Sequence, residues 1–588
     1  MTTSFHPPPP TPTRIDLTGM MEEAVEAENM EDKKLRHMSK DDQALAKLGY
    51  KSEFKREFGY FGTLSFAFSV VGLSSCVTST FNTPFLSAGP AAVIWCWLIG
   101  SVMCMTIAAS VAELVSAFPT SGGLYSASAF LVPKRFKAPV GFLVGWLSIL
   151  GQIAAVASAE FALSQMIWSA YTISQDGNYS PTKLEIVGVF GILLIIHGLM
   201  NSVATRIMAK LTRTFIFFNF GGTFAIILAL CLSGPPKQSF EYVFTKIVNR
   251  TGWDSTPLAF MMGILSSEWT LSDYDATAHI SEEIKNPAVA APLAIMTAIT
   301  VSGVLGWFLN LVLVLYSPDI ASLTTPSSSQ SNDVGLLRNA SDVASAFANT
   351  TSISTSDASA SALPVAAAAA AASSPSSSSS SSSSDFLLVA TILSQNLSTG
   401  LFYFTWTLIC INAFFQVNVV LQACSRTLFA FSRDGGLPDR QFFGQLSKRT
   451  KIPFRSVWVV ILISLFFGSL DFVSTVAVNA VFSVCTIALD SSYAIPIAMK
   501  MIFKNHADVK FKPGPFSLGN GIIMWSINSI SVLWVIFIST ILAFPMVQPV
   551  TVENMNYSSI ITVTVIVLAS TWYYLHAFKW YKGPKSNL

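Results

Sequence analysis

The sequence predicts an all-α polytopic membrane protein with twelve transmembrane helices, and three observations carry that prediction. Hydrophobic residues make up 52% of the chain and the mean hydropathy is +0.54, more apolar surface than a soluble fold can bury. Apolar stretches long enough to cross a bilayer recur along the whole length. The basic residues then sort to one side of the resulting topology.

The stretches lie near 60–82, 90–116, 139–170, 184–204, 214–233, 257–278, 291–316, 398–424, 455–472, 475–500, 518–543 and 558–580, numbered here as spans 1 to 12. All but five of the 35 Lys and Arg residues fall in the two tails or in the loops after spans 2, 4, 6, 8 and 10. The exceptions are Lys183, Lys237, Lys246, Arg250 and Arg338. Positive charge stays in the cytosol, so both termini are expected there. Six Asn-x-Ser/Thr sequons agree. Asn178, Asn249, Asn339, Asn349, Asn396 and Asn556 all lie in, or at the edge of, loops assigned to the opposite side, where glycosylation takes place.

Three regions flank or interrupt the expected twelve-helix domain at 58–580. Residues 1–57 are polar, with PPPP at Pro7 to Pro10 and a run of glutamates, and read as a disordered cytosolic tail. Residues 318–385 hold the Ala366–Ala372 and Ser376–Ser384 tracts and read as a flexible external insertion between spans 7 and 8. Residues 581–588 form a short cytosolic tail. The seven cysteines sit in apolar runs at no metal-like spacing and read as packing residues.

Enzyme signatures are missing. The sequence has no GxxxxGK[ST] loop, no GxSxG, and no HxxH or HxxxH pair among its six histidines. No enzymatic activity, cofactor, metal or nucleic-acid partner is expected. A secondary transporter, a channel and a sensor remain, and no ring-forming filter repeat supports a channel. Spans 1 and 6 carry similar polar interruptions, SVVGLSSCVT at Ser69–Thr78 and FMMGILSSEWT at Phe260–Thr270. Gly permits unusual backbone angles, and a freed turn leaves N–H and C=O groups for a ligand. The two lie five spans apart, the spacing of an inverted repeat relating spans 1–5 to spans 6–10.

Three segments add a family resemblance: AELVSAFPTSGGLYSASAF (Ala112–Phe130), WTLSDYDATAHISEEIKNP (Trp269–Pro287) and SRTLFAFSRDGGLPDRQF (Ser425–Phe442). Together with the span pattern, the chain resembles the fungal amino acid/choline transporter branch of the amino acid–polyamine–organocation superfamily, which includes γ-aminobutyrate and choline permeases. The resemblance implies a LeuT-like 5+5 inverted repeat with broken helices 1 and 6, plus two further helices. It also implies proton-driven uptake across the plasma membrane or an organelle membrane. Carried over, the substrate-binding breaks are Gly72, Leu73, Ser74 and Ser75 in span 1 and Ser266, Ser267, Glu268 and Trp269 in span 6. The chain departs from the branch at Asp273, where Gly is common, and at Asp490, where an uncharged residue is common.

Individual residues sharpen the expectation. A carboxylate at mid-bilayer costs roughly 2.5–3.5 kcal/mol, so Glu268 should face a cavity, as substrate counter-ion or proton carrier. Glu160 in span 3 and Asp490 in span 10 are the other proton-coupling candidates, either of which could instead bridge helices. Trp269 is the expected aromatic lid, with an indole face that attracts an amine. Asp273, Asp275, Glu282 and its neighbour Glu283, with Glu113 at the end of span 2, are expected to form an inner gate with Arg206, Lys210 or Arg426. His279 and His197 read as structural. The expected function is a proton symporter of amino acids or related amines such as γ-aminobutyrate, with the substrate, protons and the bilayer as partners. The alternatives are a choline or polyamine permease, or a nutrient sensor on a transporter scaffold.

Overall fold

The computed structural model describes residues 38–320, 387–472, 475–509, 511–551 and 554–584. The expectations for residues 1–37, for most of the 318–385 insertion, for Asn339 and Asn349, and for the last four residues lie outside the described residues. The described chain is helical, with a single isolated bridge between Phe58 and Ile284. Residues up to Glu53 cluster separately from Phe54–Pro584. Within the first unit, Lys40–Lys47 is helical inside the stretch read as a structureless tail. The Ser39 side chain caps it by accepting from the Asp42 amide, with Asp41 and Asp42 in its first turn and Lys47 in its last.

Eleven helices among the described residues are long and apolar enough to cross a membrane. They include span 2 at Pro90–Ala117, span 3 at Lys137–Ser174, span 4 at Lys183–Asn201, span 5 at Thr205–Leu232 and span 7 at Pro287–Leu315. Span 8 is Thr399–Arg433, span 9 Phe454–Ser469, span 10 Thr475–Ile502, span 11 Ile522–Ile541 and span 12 Ser558–Leu575. Eleven of the twelve expected stretches match a helix of membrane length. Span 6 is the exception in form: it is broken into Thr256–Met262, Leu265–Thr270 and the short turn Ala276–His279.

Burial separates centre from rim. The most apolar window of span 1 is 89% buried and that of span 12 is 17% buried, so span 1 runs through the middle and span 12 along the edge. Spans 4, 5, 9, 11 and 12 expose rows of Leu, Ile, Val and Phe, such as Ile192, Phe217, Leu462, Leu533 and Leu568. Those side chains suit hydrocarbon and are ill suited to water. Span 3 packs along spans 8 and 10, and span 7 along span 2.

Span 1 divides into Tyr60–Val71 and Leu73–Thr80, hinged at Gly72 with φ 50 and ψ 48. Only glycine takes this left-handed conformation freely. Close approach is also built in at Gly100. A Cβ there would lie 2.0 Å from Ser267 Oγ, so the missing side chain lets span 2 lie against the middle piece of span 6. The two broken spans meet directly, with Thr80 and Ser266 hydroxyls 2.8 Å apart.

Candidate functional site

Span 6 is interrupted twice, at Gly263–Ile264 within the Phe260–Thr270 stretch singled out from sequence and again beyond it. Ser266, Ser267, Glu268 and Trp269 are helical, and the chain unwinds at Leu271–Asp275. There Asp273 holds φ 54, a left-handed angle uncommon outside glycine. In span 1 only Gly72 departs from helical geometry; Leu73, Ser74 and Ser75 already belong to the second half.

A small cleft of about 20 Å³ lies beside the two breaks. Trp269, Ser272 and Asp273 of span 6 line it, with Val70 of span 1, Ala155 of span 3 and Gln416 of span 8 among the other walls. Of the eight residues expected to bind substrate, Trp269 is the one that lines it. Its ring lies 5.0 Å from that of Phe482, and its Nε1 donates to Ser158 Oγ at 3.3 Å.

The other seven lie outside the cavity lining, each with its own neighbours in the protein. Leu73 belongs to an apolar cluster with Val77, Phe81 and Trp97. Ser74 accepts from Asn412 Nδ2 at 2.9 Å, and Ser75 donates to Gly72 O at 2.7 Å. Gln416 is held between Ser75 Oγ at 3.0 Å and Cys76 Sγ at 2.8 Å, and it packs over Gly72. Ser267 donates to Ile264 O at 3.0 Å, while Ser266 meets Thr80. Asn412, Gln416 and Gln152 did not feature in the sequence reading. Amides in otherwise apolar spans 3 and 8 were the signal that could have found them, since a buried amide needs partners.

Glu268 is fully inside the protein, 1% exposed, and its carboxylate turns to spans 2 and 11 instead of the cavity. Trp534 Nε1 donates to Oε1 at 2.9 Å and Cys104 Sγ to Oε2 at 3.3 Å. Cys104 is thus a donor as well as a packing residue. Asp490 of span 10 is also buried, and its Oδ2 has no hydrogen-bond partner among the described residues. Neither acid has a basic partner among the described residues. Glu160 is placed differently. Its Oε2 lies 2.8 Å from His197 Nδ1, and His197 Nε2 lies 3.0 Å from Phe414 O. Both ring nitrogens face oxygen, so the contacts join spans 3, 4 and 8.

Acids and bases meet at the end of the bundle where spans 2, 6, 8 and 10 finish. Glu282 takes a two-pronged contact from Arg433, Nη2 to Oε1 at 3.0 Å and Nη1 to Oε2 at 3.1 Å, and also accepts from the Ser121 amide at 3.1 Å. Burial pushes the Glu282 carboxyl up, but the Arg433 charge and these hydrogen bonds outweigh it and hold the group below its ordinary range. Arg426 Nε donates to Glu283 Oε1 at 2.8 Å. Asp275 meets none of Arg206, Lys210 or Arg426: it accepts from Tyr493 at 2.6 Å and faces His279 Nε2 at 3.1 Å. Glu113 pairs with Lys500 and accepts from Ser517 Oγ and the Leu518 amide. Asp273 stands apart from these pairs, in the cavity wall.

The sequons are unequal. Asn178 is exposed. Asn249, Asn396 and Asn556 spend their side-chain amides on Trp253 O, Ile392 O and Leu542 O.

A family model described as amino acid permease matches residues 58–352 and 351–567. An uncharacterized amino-acid permease of Schizosaccharomyces pombe is 37% identical, covering 93% of this chain and 90% of that protein. Amino-acid permease 2 of Neurospora crassa is 32% identical over 93% of this chain and 89% of its own length. A GABA-specific permease of Saccharomyces cerevisiae is 26% identical, over 93% and 86%. With its ordered series of membrane-length helices and this match over most of its length, the chain belongs to the amino acid permease family and is a multi-pass membrane transporter.

Proposed function

We propose that the protein is a proton-coupled carrier that takes up small amino acids or related amines, γ-aminobutyrate among them. The observation that carries this reading is the cavity beside the Gly72 and Leu271–Asp275 breaks, where Trp269, Asp273 and Gln416 converge. A carrier needs its binding site where two helices can change their packing, and broken helices provide that. The family match and the GABA-specific relative support the substrate class.

Proton coupling is assigned to Glu268 and Asp490. Both acids are buried with no base beside them, and a buried carboxylate without a basic partner is costly to leave charged. Glu160, matched by His197, is read as a helix bridge. The paired acids Glu113, Asp275, Glu282 and Glu283 are read as an inner gate at the end assigned to the cytosol. We assign the plasma membrane as the site of action.

Expression in a yeast lacking its own permeases tests this. Labelled γ-aminobutyrate and amino acids should accumulate above the external concentration, and a proton uncoupler should abolish that accumulation. In Glu268→Gln, concentrative uptake should be lost while exchange of internal for external substrate persists. Accumulation with unchanged pH dependence in both Glu268→Gln and Asp490→Asn would overturn the coupling assignment.

A further inference from the structure

We propose that Asp273 selects the substrate by its charge: the carrier takes molecules bearing an N–H-containing ammonium, which docks on the Asp273 carboxylate inside the cavity. This rests on the substrate site proposed above.

Asp273 is the carboxylate in the cavity wall and is 3% exposed. Its Oδ2 is buried with no hydrogen-bond partner, and its Oδ1 has only a long contact, 3.4 Å, from Gln152 Nε2. The acids close by in sequence all have partners. Asp275 has Tyr493 and His279, Glu282 has Arg433, and Glu283 has Arg426. The local cations are thus committed elsewhere, and Asp273 is left facing the cavity alone. A buried acceptor without a donor is costly, and a ligand that supplies the donor recovers that cost.

The backbone makes the residue harder to explain as scaffold. At φ 54 a glycine sits freely, whereas an aspartate takes this angle less readily. A buried acid with one oxygen unmatched adds no bond to the scaffold through that oxygen. Its surroundings suit an amine. Val70, Ala155 and Ala159 offer apolar walls to a short methylene chain, and the Trp269 indole offers a face to a cation. The orphaned oxygen calls for an N–H donor. A primary ammonium has one, and a quaternary ammonium does not.

The test uses the full-length protein, fused to a fluorescent reporter, in the permease-deficient yeast. Labelled γ-aminobutyrate, lysine and putrescine are the probes, with butyrate and choline as competitors. Asp273→Gly is the informative variant because glycine takes this backbone angle freely, and it should reach the membrane in normal amount. In Asp273→Gly and Asp273→Asn, KM for the ammonium-bearing probes should rise roughly 30-fold or more. Asp273→Glu should retain part of the affinity, and neither butyrate nor choline should compete in the wild type. An unchanged KM in Asp273→Gly, or competition by butyrate equal to that of γ-aminobutyrate, overturns the assignment. So does a loss of accumulation at unchanged KM, which would make Asp273 a proton carrier. If the wild type transports none of the probes, the substrate-site reading falls and this assignment with it.

Discussion

Replacing Arg433 with methionine is expected to lower the stability of the folded carrier by about 3–5 kcal/mol, the cost of leaving one partner of a buried ion pair unmatched. The magnitude follows from geometry. Glu282 is 1% exposed at its side chain and Arg433 9%, and both carboxylate oxygens are engaged by the guanidinium. Without Arg433, Glu282 keeps the Ser121 amide as a donor but loses both guanidinium contacts. The measurement is the midpoint of thermal unfolding of the detergent-solubilised protein. The double variant Glu282→Leu with Arg433→Met should recover most of the loss, because it removes the charge as well as its partner. A single variant as stable as the wild type would show that the pair carries no weight.

The same pair has a pH signature. The folded Glu282 carboxyl titrates below its unfolded value, so its contribution is complete above the ordinary glutamate range of about 4.3 and is lost as pH falls below it. Stability of the wild type should therefore fall more steeply on acidification than that of the double variant.

The second large effect is expected at Gly72. A side chain there meets two penalties. The left-handed backbone costs about 1–2 kcal/mol for an L-residue. The added Cβ would lie 2.5 Å from both Cδ and Oε1 of Gln416, and displacing a packed side chain costs typically about 1–3 kcal/mol. Gly72→Val should thus destabilise the protein by the sum of these, and Gly72→Ala by somewhat less. Uptake should fall further than stability does, because Gln416 also lines the cavity. Combining Gly72→Ala with Gln416→Ala should restore the packing part and leave the backbone part, as thermal unfolding would read. Wild-type stability in Gly72→Val would contradict the hinge as described.

Much of the fold was legible because a bilayer forces the issue. A chain that must satisfy every backbone group inside hydrocarbon has helices as its ready solution, so long apolar runs gave the spans with little ambiguity. Gly72 was legible for a similar local reason, since a glycine among apolar residues of a span suggests a broken turn. Span 6 is interrupted just before the expected Ser266–Trp269 and again after it, at Leu271–Asp275. Ser266 and Ser267 look like poor helix residues in isolation, yet they find hydroxyl and carbonyl partners on spans 1 and 2 and remain helical. The left-handed angle falls instead on Asp273, where no glycine advertises it.

The acids show the same division more sharply. From sequence, Glu268 is the residue out of place in hydrocarbon, and Asp273 belongs with the charges leaving the membrane. In the folded protein Glu268 is met by Trp534 and Cys104, residues far away in the chain, while Asp273 turns into the cavity. The sequence by itself determined the spans, the hinge glycine and the family, because these depend on local composition and short motifs. Which acid is paired and which faces empty space was decided by the tertiary structure alone, because a buried charge is governed by neighbours that only folding brings within hydrogen-bonding distance.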